Sequence, residues 1–202
     1  MAGPISLARD PRIDLLRGFA LATIFVDHVP DNPLNPLTLR NFGFADAAEL
    51  FVILAGVSAM LAYGRAFERD GALIGLRRVG LRCLRIYVFQ IGMLVTTLVC
   101  VHLWRQHFGL EPAEFSRFFE QPLPAIGHAL ALNALPASLN ILPLYIVLLG
   151  LFPLIYAGMR YAPRTALLLS GLVWLGANLD HDFNLRNWLD GQLVNQDNFA
   201  FF

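Results

Sequence analysis

Charged side chains are scarce in this chain: only 15% of its 202 residues are Asp, Glu, Lys or Arg, and lysine is absent. A soluble domain typically carries about 25% charged residues. Hydrophobic residues instead make up 56% of the sequence, and they are gathered in long apolar blocks. This composition excludes an ordinary soluble domain and predicts a polytopic protein embedded in the lipid bilayer. The net charge of zero gives no sign of a nucleic-acid partner, and none is expected.

Cysteine is also rare, and the sequence lacks several common catalytic motifs. Cys83 and Cys100 lie in one apolar block, and on a helix they would be roughly 25 Å apart, too far for a disulfide. There is no CxxC pair, no phosphate-binding glycine loop in the segment 64–82 and no serine-nucleophile elbow. The chain therefore shows no disulfide framework, nucleotide loop or serine hydrolase signature. No bound metal is expected.

Five apolar blocks predict membrane-spanning helices at residues 13–29, 45–63, 83–103, 139–159 and 165–179. A helix needs about 20 residues to cross a bilayer, and the first and fifth blocks are the short ones. Arginines gather before the first block, between the second and third, and between the fourth and fifth. Arginine-rich flanks stay in the cytoplasm, which places the N-terminus inside and the loops 30–44, 104–138 and 180–202 outside. The expected fold is an all-α transmembrane bundle of about five spans, a single domain over residues 1–202.

The first apolar block carries ionisable residues at both ends. Arg17 and His28 are eleven residues apart, so they lie near one face of a helix and about 16 Å apart along its axis. Ionisable groups at membrane depth mark functional sites, and histidine can exchange a proton near neutral pH. The pattern suggests that Arg17 holds an anionic donor while His28 activates an acceptor at the outer rim. The alternatives are a snorkelling anchor for Arg17 and a solvated interfacial histidine for His28.

A catalytic histidine needs a carboxylate that orients it. Asp27 is adjacent to His28, but neighbours on a helix point about 100° apart, which makes Asp27 a poor direct partner. Asp46 and Glu49 enter the second block three residues apart, on one face that can turn toward His28, and Glu49 is the predicted partner. Both carboxylates also suit the first turn of a helix, where the helix dipole favours them, and this capping interpretation is preferred for Asp46.

Two further segments support alternative interpretations. The arginines of the second inner loop suit either the phosphates of a coenzyme A-like donor or topology and lipid headgroups, and the latter is preferred; they are Arg77, Arg78, Arg82 and Arg85. The aromatic residues of the segment 104–138 suit either a platform for a sugar or an interfacial aromatic belt. The belt is preferred.

Several long runs resemble one known family. They are RIDLLRGFALATIFVDHVP, LTLRNFGFADAAELFVILAGVSAMLAYGR, LRIYVFQ and NALPASLNILPLYIVLLGLFPL. They resemble the OpgC family of integral membrane proteins, which succinylate osmoregulated periplasmic glucans, and the resemblance covers essentially residues 9–180. That family is similar to the broader acyltransferase family 3, whose first span carries an arginine, ten residues and a histidine, the spacing of Arg17 and His28 here. Such proteins have more spans, so the resemblance implies that this chain corresponds to their N-terminal half.

The resemblance implies an O-acyltransferase of the bacterial inner membrane. The expected co-substrate is succinyl-coenzyme A or a similar acyl thioester on the cytoplasmic side, and the expected acceptor is a sugar hydroxyl of a periplasmic glucan. His28 would be the general base, oriented by Glu49 or Asp27, and Arg17 would bind the donor.

Three further residues complete the predicted site. Arg40 and Asn41, in the first outer loop, would contact the acceptor or stabilise an oxyanion, and Asp46 is grouped with them as substrate-binding. Two alternatives remain open: a transporter or glucan-export module that makes no bond, and an inactive fragment.

Overall fold

The computed structural model describes residues 11–27, 29, 32–42, 46–109, 115–132, 135–136, 139 and 141–179. Its helices are α1 (Pro11–Asp27), α2 (Ala47–Ala59), α3 (Arg65–Arg69), α4 (Ala72–Phe108), α5 (Ser116–Glu120), α6 (Pro122–Leu130), α7 (Ile141–Tyr161) and α8 (Pro163–Leu179). Two 3₁₀ turns, Asn35–Leu37 and Leu39–Asn41, lie between α1 and α2, and a π-helical turn, Met60–Gly64, joins α2 to α3. Within these ranges there is no strand, which confirms the predicted all-α class.

The chain divides into two compact units, Met1–Arg78 and Val79–Phe202, with the boundary inside α4. Three helical stretches of the described chain are long and apolar enough to cross a membrane: Ala47–Arg69, Ala72–Phe108 and Leu142–Tyr161. They match the second, third and fourth predicted spans. The first and fifth predicted spans are helices of 17 residues each, about 26 Å long, slightly less than the roughly 30 Å of hydrocarbon in a bilayer.

Helix α4 is much longer than the predicted span at 83–103. It begins at Ala72 and runs for 37 residues, about 55 Å. The residues 64–82 were predicted to form a loop because they lie between two apolar blocks and are rich in arginine. This prediction was wrong, since the helix extends through the arginines. Arginine is a good helix former. The real turn is short: it contains Gly71, with a φ of +87°, and is bridged by an ion pair of 2.7 Å between Arg78 and Asp70.

The first unit is built on the packing of α1 against α2. Helix α2 buries one face at intervals of four residues, formed by Ala47, Phe51, Ala55 and Ala59. The buried residues of helix α1 are Ala20, Thr23 and Ile24. Small side chains let two helix backbones approach closely, which is how helices associate where surrounding lipid removes the hydrophobic drive between them.

The π-helical turn Met60–Gly64 shifts the buried face of the second span. After Ala59 the next buried residue is Gly64, five positions on rather than four. A Cβ at Gly64 would lie 2.8 Å from the sulfur of Met60, so the Met60 side chain fills the space beside this glycine. A π turn adds one residue without ending the helix, and the remainder of the span is rotated accordingly.

The second unit joins α4 to α6 and to the segment between α6 and α7 around a small apolar core of Leu94, Ala129, Leu135 and Leu139. On the same side of α4, polar side chains meet backbone carbonyls. The Gln90 amide Nε2 donates to the Leu139 carbonyl at 3.0 Å, and the Tyr87 hydroxyl donates to the Leu130 carbonyl at 2.8 Å.

Both carbonyls lie next to helix ends. Leu139 precedes α7, so its carbonyl lies outside the hydrogen-bonded turns of that helix. Leu130 is the last residue of α6, and the final carbonyls of a helix have no intrahelical partner. The polar residues of α4 therefore complete the backbone of its neighbours.

Gly75 provides a test of the close packing in the first unit. A Cβ at this buried position would lie 2.7 Å from the ring of Phe67, so Gly75→Ala should lower the free energy of unfolding by about 1–3 kcal/mol through overpacking. Gly80→Ala, on the same helix with nothing within 4 Å of the new Cβ, should leave stability unchanged or raise it by up to about 1 kcal/mol. Thermal unfolding of the purified chain in detergent measures both, and equal losses would contradict the packing described.

Candidate functional site

Helix α1 carries Arg17 and Asp27 on the face that packs inward, whereas Arg12 is exposed. The positions of this face recur at helical spacing, and all are buried or half-buried: Ile13, Arg17, Ala20, Ile24 and Asp27. The opposite face is apolar and exposed, with Leu15 at 74% and Phe25 at 71%. A surface helix of a soluble protein has the reverse arrangement. In a membrane helix, ionisable residues that face the interior are functional-site candidates.

Arg17 lies in the contact between α1 and α2. Its guanidinium carbon is 5.8 Å from the centroid of the Phe51 ring, a cation–π distance. Its Nε is buried and has no hydrogen-bond partner in the part of the chain that the structure describes. A guanidinium has five N–H donors in a fork that matches a carboxylate or phosphate, so Arg17 is placed to receive an anion.

Phe51 was not singled out from the sequence. The signal was present, because Phe51 is the one large side chain in the alanine stripe of α2. An alanine at position 51 would remove the ring that lies against the guanidinium of Arg17.

Asp27 is the last residue of α1 and shares the inward face with Arg17. One carboxylate oxygen, Oδ1, is buried and has no hydrogen-bond partner among the described residues. The two charged residues are ten positions apart, about 15 Å along the helix, so they do not neutralise each other. A buried carboxylate oxygen is stabilised by a hydrogen-bond donor, so Asp27 is a second ionisable candidate on this face.

His28 follows Asp27 directly in the chain but lies outside the described residues. Its role as a base, and its contact with Glu49 or Asp27, therefore stay predictions. Glu49 is exposed in the first turn of α2.

Asp46 has a clear structural role. Its Oδ1 accepts hydrogen bonds from the backbone N–H of Ala48 at 2.8 Å and of Glu49 at 3.1 Å, and it is the N-cap of α2. The capping interpretation of Asp46 is confirmed. Its grouping with the substrate-binding residues stays a prediction.

Arg40 and Asn41 lie in the 3₁₀ turn Leu39–Asn41, and both are exposed. The Asn41 amide nitrogen donates to the Asn35 carbonyl at 2.7 Å and lies 3.3 Å from the Thr38 hydroxyl. Asn41 thus holds the turn in shape, while the Arg40 side chain projects from it. Contact of either residue with an acceptor stays a prediction.

The far end of α4 carries the aromatic residues noted in the sequence. The His102 ring stacks on Phe119 of α5 with centroids 6.0 Å apart, and the Arg105 guanidinium carbon lies 5.3 Å from the same Phe119 ring. Trp104 and Phe108 pack together with centroids 4.2 Å apart yet are 52% and 53% exposed. Exposed aromatic residues at the end of an apolar helix are typical of a membrane interface.

Together these features define a helical membrane protein whose first two helices enclose ionisable groups. Among the described residues, no group of three histidine, cysteine, aspartate or glutamate side chains is arranged to hold a metal ion. The family model described as OpgC protein matches residues 9–200, and the chain belongs to this family. Membership indicates a role in the modification of osmoregulated periplasmic glucans. Searches of curated proteins and of solved structures found no match.

The cap at Asp46 gives a prediction that separates structure from chemistry. Asp46→Ala should lower the free energy of unfolding by about 0.5–2 kcal/mol, whereas Asp46→Asn should leave it nearly unchanged, because asparagine caps as well as aspartate. Thermal unfolding gives the stability, and glucan substitution per milligram of inserted protein gives the activity. If Asp46→Asn kept its stability but lost activity, the carboxylate charge would have a role beyond the cap.

Proposed function

We propose that this chain forms the acyl-transfer site of a membrane O-acyltransferase that succinylates osmoregulated periplasmic glucans. The donor is succinyl-coenzyme A or a similar acyl thioester, and the acceptor is a sugar hydroxyl. The proposal is supported by membership of the OpgC family over residues 9–200 and by the inward-facing charges of α1. The spacing of Arg17 and His28 also relates the site to acyltransferase family 3.

The proposed reaction exchanges one acyl bond for another. His28 removes the proton from the sugar hydroxyl as its oxygen attacks the thioester carbonyl. The carbon–oxygen bond of the ester forms, the carbon–sulfur bond breaks, and the departing thiolate takes the proton back from the imidazolium. A carboxylate, Glu49 or Asp27, orients the imidazole. Arg40 and Asn41 are the proposed contacts for the acceptor or the transient oxyanion.

Arg17 is the observation that carries the proposal. A guanidinium that faces inward, with Phe51 against it and a buried Nε that has no hydrogen-bond partner among the described residues, is better explained by an anionic ligand than by anchoring. An anchoring arginine extends its head group into water or lipid headgroups. Succinyl-coenzyme A offers both a carboxylate and phosphates for this purpose.

The proposed site lies in the bacterial inner membrane with the N-terminus in the cytoplasm. Arginine-rich flanks favour this orientation, which puts the start of α1 near the donor and its end, with Asp27 and His28, on the periplasmic side. The acceptor glucan is then on the side where the proposed base lies.

Arg17→Gln is expected to lower donor-dependent glucan succinylation in membrane vesicles by about tenfold to a thousandfold, the range found when a charged group that holds an anion is lost. Arg12→Gln, which removes an exposed arginine of the same helix, serves as the matched control and should retain most activity. The readout is succinate bound to purified glucan, normalised to inserted protein.

His28→Ala should lower the same rate by about 10²–10⁴ while leaving insertion and stability intact. Full activity of this variant would remove the proposed base. Glucan that crosses the membrane without gaining succinate in the wild type would instead identify a transporter, and a correctly inserted chain with neither activity would be an inactive fragment.

The orientation is tested by cysteine labelling with a membrane-impermeant maleimide. Arg40→Cys should react in intact spheroplasts, whereas Leu73→Cys, at a position 83% exposed, should react only after lysis. The parent chain, which keeps Cys83 and Cys100, gives the background. The opposite pattern would put the end of α1 in the cytoplasm and contradict the proposed mechanism.

A further inference from the structure

Arg82 and Arg85 are both exposed and lie on the same face of α4. They are three residues apart, so their side chains are neighbours on the helix. Within the described chain, neither guanidinium takes part in an ion pair or hydrogen bond. Arg78, one turn earlier, is instead paired with Asp70 at 2.7 Å. The pair at 82 and 85 thus has donors to offer to a ligand from outside the protein.

An apolar stripe continues from this pair along the same face of α4. Its members recur at intervals of three and four residues, and every one is exposed: Phe89, Gly92, Thr96, Val99 and Leu103. The hydroxyl of Thr96 donates to the Gly92 carbonyl at 2.9 Å, so it presents no unsatisfied polar group. A Cβ at Gly92 would meet nothing within 4 Å, which leaves a shallow dip between Phe89 and Thr96.

The length of this face matches one bilayer. From Arg85 to the exposed Trp104 is 19 residues, about 28 Å, close to the roughly 30 Å of a hydrocarbon core. Arginine at one end and an aromatic belt at the other are the usual anchors of a membrane helix at its two interfaces. This register puts Arg82 and Arg85 at the depth of the lipid phosphates.

We propose that Arg82 and Arg85 bind the phosphate of an anionic phospholipid whose acyl chains lie along the apolar stripe from Phe89 to Leu103. Two neighbouring guanidinium groups suit a phosphate that they can share. The stripe below them, about 21 Å long, suits acyl chains. A soluble phosphorylated molecule such as coenzyme A carries phosphates but no long acyl chains that would cover the apolar stripe. A phospholipid matches both the arginine pair and the stripe.

The test is a titration of the purified full chain in detergent with phosphatidylglycerol or phosphatidylcholine of identical acyl chains, followed by native mass spectrometry. Phosphatidylglycerol should bind more tightly than phosphatidylcholine. Arg82→Gln with Arg85→Gln should weaken phosphatidylglycerol binding about 25-fold, since each arginine near the surface contributes about a fivefold factor to the affinity. Arg77→Gln with Arg78→Gln removes the same charge from the same helix and should weaken it less than about threefold, because screening reduces the effect of charges away from the phosphate.

Arg82→Lys with Arg85→Lys keeps the charge and should retain binding within about fivefold, which separates loss of charge from loss of fold. Equal binding of the two lipids, or equal loss in the two glutamine pairs, would overturn the proposal. Coenzyme A or inorganic phosphate is added in a final arm. Displacement of phosphatidylglycerol by either from the wild type at micromolar concentration would show that the pair serves a soluble phosphorylated ligand and would also overturn it.

Discussion

The first unit depends on how it accommodates Arg17, a charged side chain on the inward face of α1, whose opposite face is exposed and mostly apolar. An arginine at the centre of a membrane helix costs about 2.5–3.5 kcal/mol on insertion scales, an upper bound for Arg17, which lies in the second turn of α1. A cation–π contact such as that with Phe51 returns about 0.5–2 kcal/mol. Alanines on α2 allow the two helices to approach closely, and the proposed anionic donor would meet the remainder of the cost.

The corresponding constraint in the second unit is that its buried backbone carbonyls need hydrogen-bond donors. The carbonyls of Leu139, just before α7, and of Leu130, the last residue of α6, lie at helix ends, and in an apolar surrounding an unpaired carbonyl costs several kcal/mol. Gln90 and Tyr87 supply the donors from α4. Gln90 is fully buried, and its Oε1 has no partner among the described residues, so within the described chain its side chain is held by the hydrogen bond from its amide nitrogen to the Leu139 carbonyl.

The helical class, three of the spans and the cap at Asp46 were predictable because each depends on local sequence: apolar length, or a carboxylate just before a helix. The extent of α4 was not, since hydropathy reports where a helix is apolar rather than where it ends. Arg77, Arg78 and Arg82 lie on α4 before the predicted span 83–103. For the site, the sequence predicted Arg17 and Asp27 but not Phe51. That contact depends on which faces of two helices meet, and the pairing of faces is a tertiary property that helical spacing alone leaves undetermined.

The π-helical turn at Met60–Gly64 makes the number of residues in the second span as important as their identity. Its extra residue changes the phase of the helix, so that side chains before and after it face different directions than an unbroken helix would give them. Removal of any one residue within the turn would restore regular winding and rotate everything between the turn and Arg69 by about 100° relative to Ala47–Ala59. Sequence comparisons across this family should accordingly treat a one-residue gap here as a change of helix phase rather than as a change in a loop.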